Sequence, residues 1–138
     1  MFIKNINYTV SGNVVAHQQA TFTSKQTTVS FGIKDDQNHL PNPAELLLGA
    51  FAACGLKNIE RFSNTLKFDY EHAQIEVIGE RQEKPTKLVT IKYRILIKSE
   101  DPRLNLKLLH KNLQKFGTIY NTLKETCNVS GEILFLDS

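Results

Sequence analysis

Two cysteines in 138 residues are too few for a disulfide-stapled scaffold, and a chain of this length buries enough apolar surface to do without one. Both are expected as free thiols. There is no Cys-x-x-Cys, no His-Glu-x-x-His and no glycine-rich phosphate loop. The four histidines, His17, His39, His72 and His110, fall in separate stretches, so neither a metal nor another cofactor is expected. Basic runs are missing too. The net charge is +3 and the lysines and arginines are scattered, which argues against a nucleic-acid partner. No apolar stretch has membrane-spanning length, so no membrane partner is expected; the longest, Leu46 to Leu56, is interrupted by Gly49 and Gly55. The opening Met1-Phe2-Ile3-Lys4-Asn5 lacks a charged segment followed by an apolar core. It does not read as a signal peptide, and the expected location is the cytoplasm.

What is present is the composition of an ordinary soluble domain, 41% hydrophobic and 22% charged. A single α+β domain over residues 1–138 is expected. Phe2 to Val10 reads as a strand, Ser11-Gly12-Asn13 as a turn, a second strand runs to about Phe22, and a third carries Val29, Phe31 and Ile33. After a polar loop from Asp35 to Pro41, a long helix opens with Asn42 as N-cap, Pro43 as its first residue and Glu45 closing a capping box. From Leu46 to Leu56 that helix is apolar nearly all round, which predicts full burial. Beyond it, Leu56, Ile59 and Phe62 are expected to face inward, with Lys57, Asn58, Glu60 and Arg61 outward. A strand through Ala73, Ile75 and Val77 turns at Lys84-Pro85 into one with Val89, Ile91, Tyr93, Ile95 and Ile97 on its inner face. A second helix is expected from Asp101-Pro102, with the stripe Leu106, Leu109, Leu113 and Phe116 and a stop at Gly117. Thr118 to Lys124 reads as a further short helix and Val129 to Leu136 as a last strand. The order is β-β-β-α-β-β-α-β, mostly antiparallel.

Three residues are candidates for chemistry. Cys54 lies mid-helix between Ala53 and Gly55, and two readings are open: a small buried hydrophobe, or a reactive thiol supplied with a cationic partner from elsewhere. Glu45 precedes it by nine residues, a half-turn offset on a straight helix, and its capping role explains it without catalysis. Cys127 stands ahead of the final strand, either an incidental loop thiol or, should the fold bring it near Cys54, a resolving one.

The stretch Pro41-Asn42-Pro43-Ala44-Glu45-Leu46-Leu47-Leu48-Gly49-Ala50-Phe51-Ala52-Ala53-Cys54 resembles the signature helix of the OsmC/Ohr family, osmotically inducible protein C and organic hydroperoxide resistance protein. That helix has an Asn-Pro-Glu-Glu/Gln-Leu start and an Ala-Ala-Cys end, and the element order matches as well. The resemblance implies the OsmC-like fold, with a long buried central helix, and an intertwined homodimer with two sites at its interface. In the peroxidase branches a cysteine at the position of Cys54 attacks an organic hydroperoxide, a second cysteine closes a disulfide, and an arginine and a glutamate support the thiolate. This chain departs at three places. Ala44 stands where the glutamate is expected, with Glu45 one step on. Ser11-Gly12-Asn13 replaces a Gly-Gly-Arg, and no arginine precedes Cys54. Gly117 replaces the second cysteine, and Cys127 lies ten residues later. The pattern is closer to a divergent OsmC-like branch, whose members often carry an Asn-Thr-Leu, here Asn121-Thr122-Leu123. Two functions stay in play. One is a redox protein of the oxidative stress response that reduces organic hydroperoxides through Cys54 with an external thiol. The other is a non-peroxidase dimer that binds a small apolar or thiol-reactive ligand.

Overall fold

The computed structural model describes residues 5–137 and divides into two compact units, one ending at Leu46 and the other beginning at Leu47. The first unit holds an antiparallel meander of β1 (Ser11–Val15), β2 (Gln19–Ser24) and β3 (Thr27–Phe31). The meander was expected, but its first turn was misplaced. Residues 5–10 form no strand, Phe2 lies outside the described residues, and Ser11-Gly12-Asn13 is itself strand, with Gly12 paired to Phe22. The chain reverses instead at Ala16–Gln18, where Gln18 N–H donates to the Val15 carbonyl and His17 takes φ 66°. Lys25 does the same at the next turn, φ 55°. Neither turn carries the Gly or Asn that normally announces a left-handed residue, so composition pointed to the wrong triplet. The polar loop after β3 is tied by Gln37, whose side chain accepts from Ile33 N–H and donates to the Gln18 carbonyl.

Helix α1 spans Pro43–Thr65. Its capping box is formed: Glu45 N–H donates to Asn42 Oδ1 (2.8 Å) and Asn42 N–H to Glu45 Oε1 (3.0 Å). It ends with Lys67 at φ 55° and Phe68 N–H donating to the Ser63 carbonyl, a left-handed cap built without glycine. The full burial expected of Leu46–Leu56 is not reached within one chain. Phe51 is buried, but Leu47 and Leu56 are 39% and 36% exposed, and Gly49 and Ala53 are exposed with them.

The second unit is built on a sheet of β4 (His72–Glu83), β5 (Thr86–Lys98) and β6 (Asn128–Phe135) in that order. β4 and β5 form a long antiparallel hairpin, while β6 runs parallel to β5. A parallel neighbour needs a crossover of a dozen or more residues, here α2 (Leu106–Phe116) and α3 (Thr118–Leu123). Alternation on β5 is as expected from Ile91 onward: Ile91, Tyr93, Ile95 and Ile97 are all buried, and they share a core with Phe51, Ile59 and Phe62 of α1 and Leu109 and Leu113 of α2. Val89, expected with them, is only half-buried, because the register shifts opposite it between Glu80 and Arg81. On the outer face Arg94 lies in register between Glu76 and Glu132 and pairs with the latter at 2.9 Å. α2 starts later than expected. Its N-cap is Asn105, whose Oδ1 accepts from Leu108 N–H, because the Asp101 carboxylate is committed elsewhere. It accepts from Asp69 N–H, Arg103 N–H and the Arg103 guanidinium, which hold it well below the usual carboxylate range. The α+β class therefore stands, with the strands shared between two three-stranded sheets rather than one.

Candidate functional site

Cys54 sits on the flank of α1, partly exposed and with its thiol free. Asn58, one turn on and expected to face outward, turns back to it: Nδ2 donates to the Cys54 carbonyl (2.9 Å) and approaches Sγ at 3.5 Å. A donor at the sulfur suits negative charge developing there. Beside the thiol is a cavity of about 20 Å³, lined among others by Phe51, Asn58, Tyr93, Leu113 and Tyr120. That volume admits about one water-sized group.

Gly117 borders the same sulfur. Its φ of −74° is open to any residue, so the glycine is there for space and not for conformation. A β-carbon at 117 would stand 3.5 Å from Cys54 Sγ, 3.1 Å from Tyr120 Cβ and 2.9 Å from the Leu113 carbonyl oxygen. The position where the family resemblance places a second cysteine is thus in contact with Cys54, and it carries no side chain.

Tyr93 is part of the cavity wall. Its ring packs on Phe51 (centroids 5.5 Å apart), and its hydroxyl shares a 2.6 Å hydrogen bond with His110 Nε2 on α2. Gln114 Nε2 is 3.4 Å from the same nitrogen. Burial pushes the Tyr93 phenol above its ordinary range, partly offset by the Gln114 hydrogen bond. This pair was not foreseen. Tyr93 read as one inward residue of a strand and His110 as a lone helix histidine, and nothing in their spacing joins them.

Burial also lowers the His110 pKa from 6.5. The unfolded chain therefore binds a proton that the folded chain resists. Stability should be complete above about pH 6.5 and fall as the pH drops below it, levelling once the folded value is passed. Urea unfolding of wild type and His110→Gln across this range measures the effect: the variant should lose that part of the pH slope. Parallel slopes would refute it.

Neither of the other two candidates is among the residues that line the cavity. Glu45 belongs to the first unit, with one carboxylate oxygen committed to the cap. Cys127 does not line the cavity, and its Sγ donates to the Leu88 carbonyl at 3.4 Å. Among the described residues no three His, Cys, Asp or Glu side chains are grouped to hold a metal ion, and no helix is long and apolar enough to cross a membrane.

Comparison with curated proteins finds no match to the sequence. Solved structures match well in fold. An OsmC-like protein from Mycoplasma pneumoniae superposes with a TM-score of 0.86 at 16% identity, over 97% of this chain and 100% of that one. An organic hydroperoxide resistance protein OsmC from Legionella pneumophila gives 0.71 at 15% identity, over 94% and 98%. The organic hydroperoxide resistance protein OhrB of Bacillus subtilis gives 0.65 at 13%, over 94% and 98%. At these identities the likeness is one of fold. The family model described as OsmC-like protein matches residues 34–132, well over half of the sequence. The chain belongs to the OsmC-like protein family.

Proposed function

We propose that this protein reduces organic hydroperoxides through Cys54, slowly and in a one-cysteine cycle completed by an external thiol. The observation that carries the reading is the small cavity beside Cys54, with Gly117 in contact with its sulfur. Its volume suits the terminal oxygen of a hydroperoxide whose organic group stays outside. The alternative, a small apolar ligand held between two copies of the chain, calls for roughly 300 Å³ or more, which this cavity does not supply by itself. The names of the Legionella and Bacillus relatives support the same choice.

Slow turnover follows from the lining. Among the described residues no lysine or arginine borders the cavity, so none of them sets a fixed cation beside a thiolate there. Recycling falls to an outside thiol because the neighbouring position is Gly117 and Cys127 is turned to Leu88. The exposed apolar face of α1 at Gly49, Ala53 and Leu56 suits a homodimer, and light scattering that finds only monomer at micromolar concentration would rule that out.

Steady-state reduction of an alkyl hydroperoxide with a thiol reductant tests the reading. Cys54→Ser should abolish turnover, and Cys127→Ser should leave it within about twofold of wild type. Activity that survives Cys54→Ser, or no activity in wild type, would overturn it.

A further inference from the structure

The Tyr93–His110 pair is buried, titratable and unused by a mechanism that stops at the thiol. Tyr93 is only 7% exposed and lines the same cavity as Cys54, and its hydroxyl is held by His110 on α2. His110 is half-buried and so keeps some contact with solvent. An alkoxide expelled from a hydroperoxide at Cys54 is strongly basic and would leave beside this wall, whose lining includes two phenols, Tyr93 and Tyr120. Among the described residues the Tyr120 hydroxyl finds no hydrogen-bond partner to return a proton, whereas Tyr93 has one at 2.6 Å.

We propose that Tyr93 is the general acid of the peroxide step and that His110 positions and reprotonates it. This rests on the hydroperoxide reading above and deepens it. Cys54 Sγ attacks the terminal peroxide oxygen, the S–O bond forms, and the O–O bond breaks. The sulfur is oxidised by two electrons to a sulfenic acid while the hydroperoxide is reduced to its alcohol. The leaving alkoxide takes the Tyr93 proton, and His110 takes up a proton from solvent and passes it to the tyrosinate oxygen. General acids of this kind contribute about 10²–10⁴-fold.

The test compares two oxidants under single-turnover conditions, with sulfenic acid trapped by dimedone and quantified by mass spectrometry. An alkyl hydroperoxide expels a basic alkoxide, whereas a peroxycarboxylic acid expels a carboxylate that needs no proton. Tyr93→Phe keeps the ring and should slow the alkyl hydroperoxide by about 100-fold while changing the peroxycarboxylic acid rate by no more than about threefold. His110→Gln should give an intermediate loss with the same selectivity. Alkylation of Cys54 by iodoacetamide, unchanged in both variants, would show that the cavity is intact. Equal losses with both oxidants would make the pair merely structural, and no loss with either would make it irrelevant; both overturn the proposal and leave the hydroperoxide reading standing. A wild type that forms no sulfenic acid with either oxidant overturns both.

Discussion

Gly117→Cys should convert Cys54 into half of an intramolecular disulfide when the protein is treated with peroxide. A β-carbon at 117 would lie 3.5 Å from Cys54 Sγ, and a disulfide needs that separation to be about 3 Å. The adjustment is a few tenths of an ångström. It must be made while the new side chain crowds the Leu113 carbonyl and Tyr120 Cβ, a strain of about 1–3 kcal/mol. Against this, closing a loop of roughly sixty residues stabilises by about 4 kcal/mol on chain-entropy grounds. The oxidised variant should therefore be more stable than its reduced form by about 1–3 kcal/mol, read as the difference between denaturation curves with and without reductant. Mass spectrometry of unreduced peptides should find Cys54 joined to the introduced thiol. In wild type the sulfenic acid has no thiol at that position and should go on to sulfinic acid under excess peroxide. A peroxide-treated variant in which Cys54 is still overoxidised and unlinked would show that the contact is not productive.

Gly131→Ala should be the most destabilising single methyl in the second unit. Gly131 pairs with Tyr93 across the parallel β5–β6 ladder, and a β-carbon there would stand 2.4–2.5 Å from Cγ, Cδ1 and Cδ2 of the tyrosine ring. The ring cannot step aside freely, being packed on Phe51 and edge-on to His110. Overpacking of this kind costs about 3 kcal/mol, or roughly 10 °C in melting temperature for a chain of this size. Tyr93→Leu should recover part of the loss in the double variant, since the two changes act on one contact. A melting temperature equal to that of wild type would mean that the strands separate at no cost and that Tyr93 is held by its helix neighbours alone.

The legible parts of this fold are those where a local pattern decides the outcome. β5 could be read residue by residue because one face is buried and side chains alternate along a strand. The start of α1 was legible because Asn42 and Glu45 satisfy each other three residues apart. Where a side chain had two employers, sequence named the wrong one: Asp101 looked like a helix cap but binds Asp69 and Arg103, leaving Asn105 to start α2. Turns at His17 and Lys25 went unread because their conformation is imposed by strand pairing rather than chosen by the residue. Of the site, Cys54 and Gly117 were singled out from the family pattern. Their contact, and the Tyr93–His110 bond, depend on how α2 lies across the sheet, which no short spacing encodes.

The parallel pairing of β6 also sets an order of assembly. β4 and β5 are neighbours in sequence and can zip together as soon as both have left the ribosome, whereas β6 must wait for α2 and α3 to be made and folded back. Gly131, which backs the Tyr93 ring, lies on that late strand. The Tyr93 part of the Cys54 cavity wall therefore gains its backing only after the crossover has been made and folded, and until then the thiol stands beside an unsupported ring.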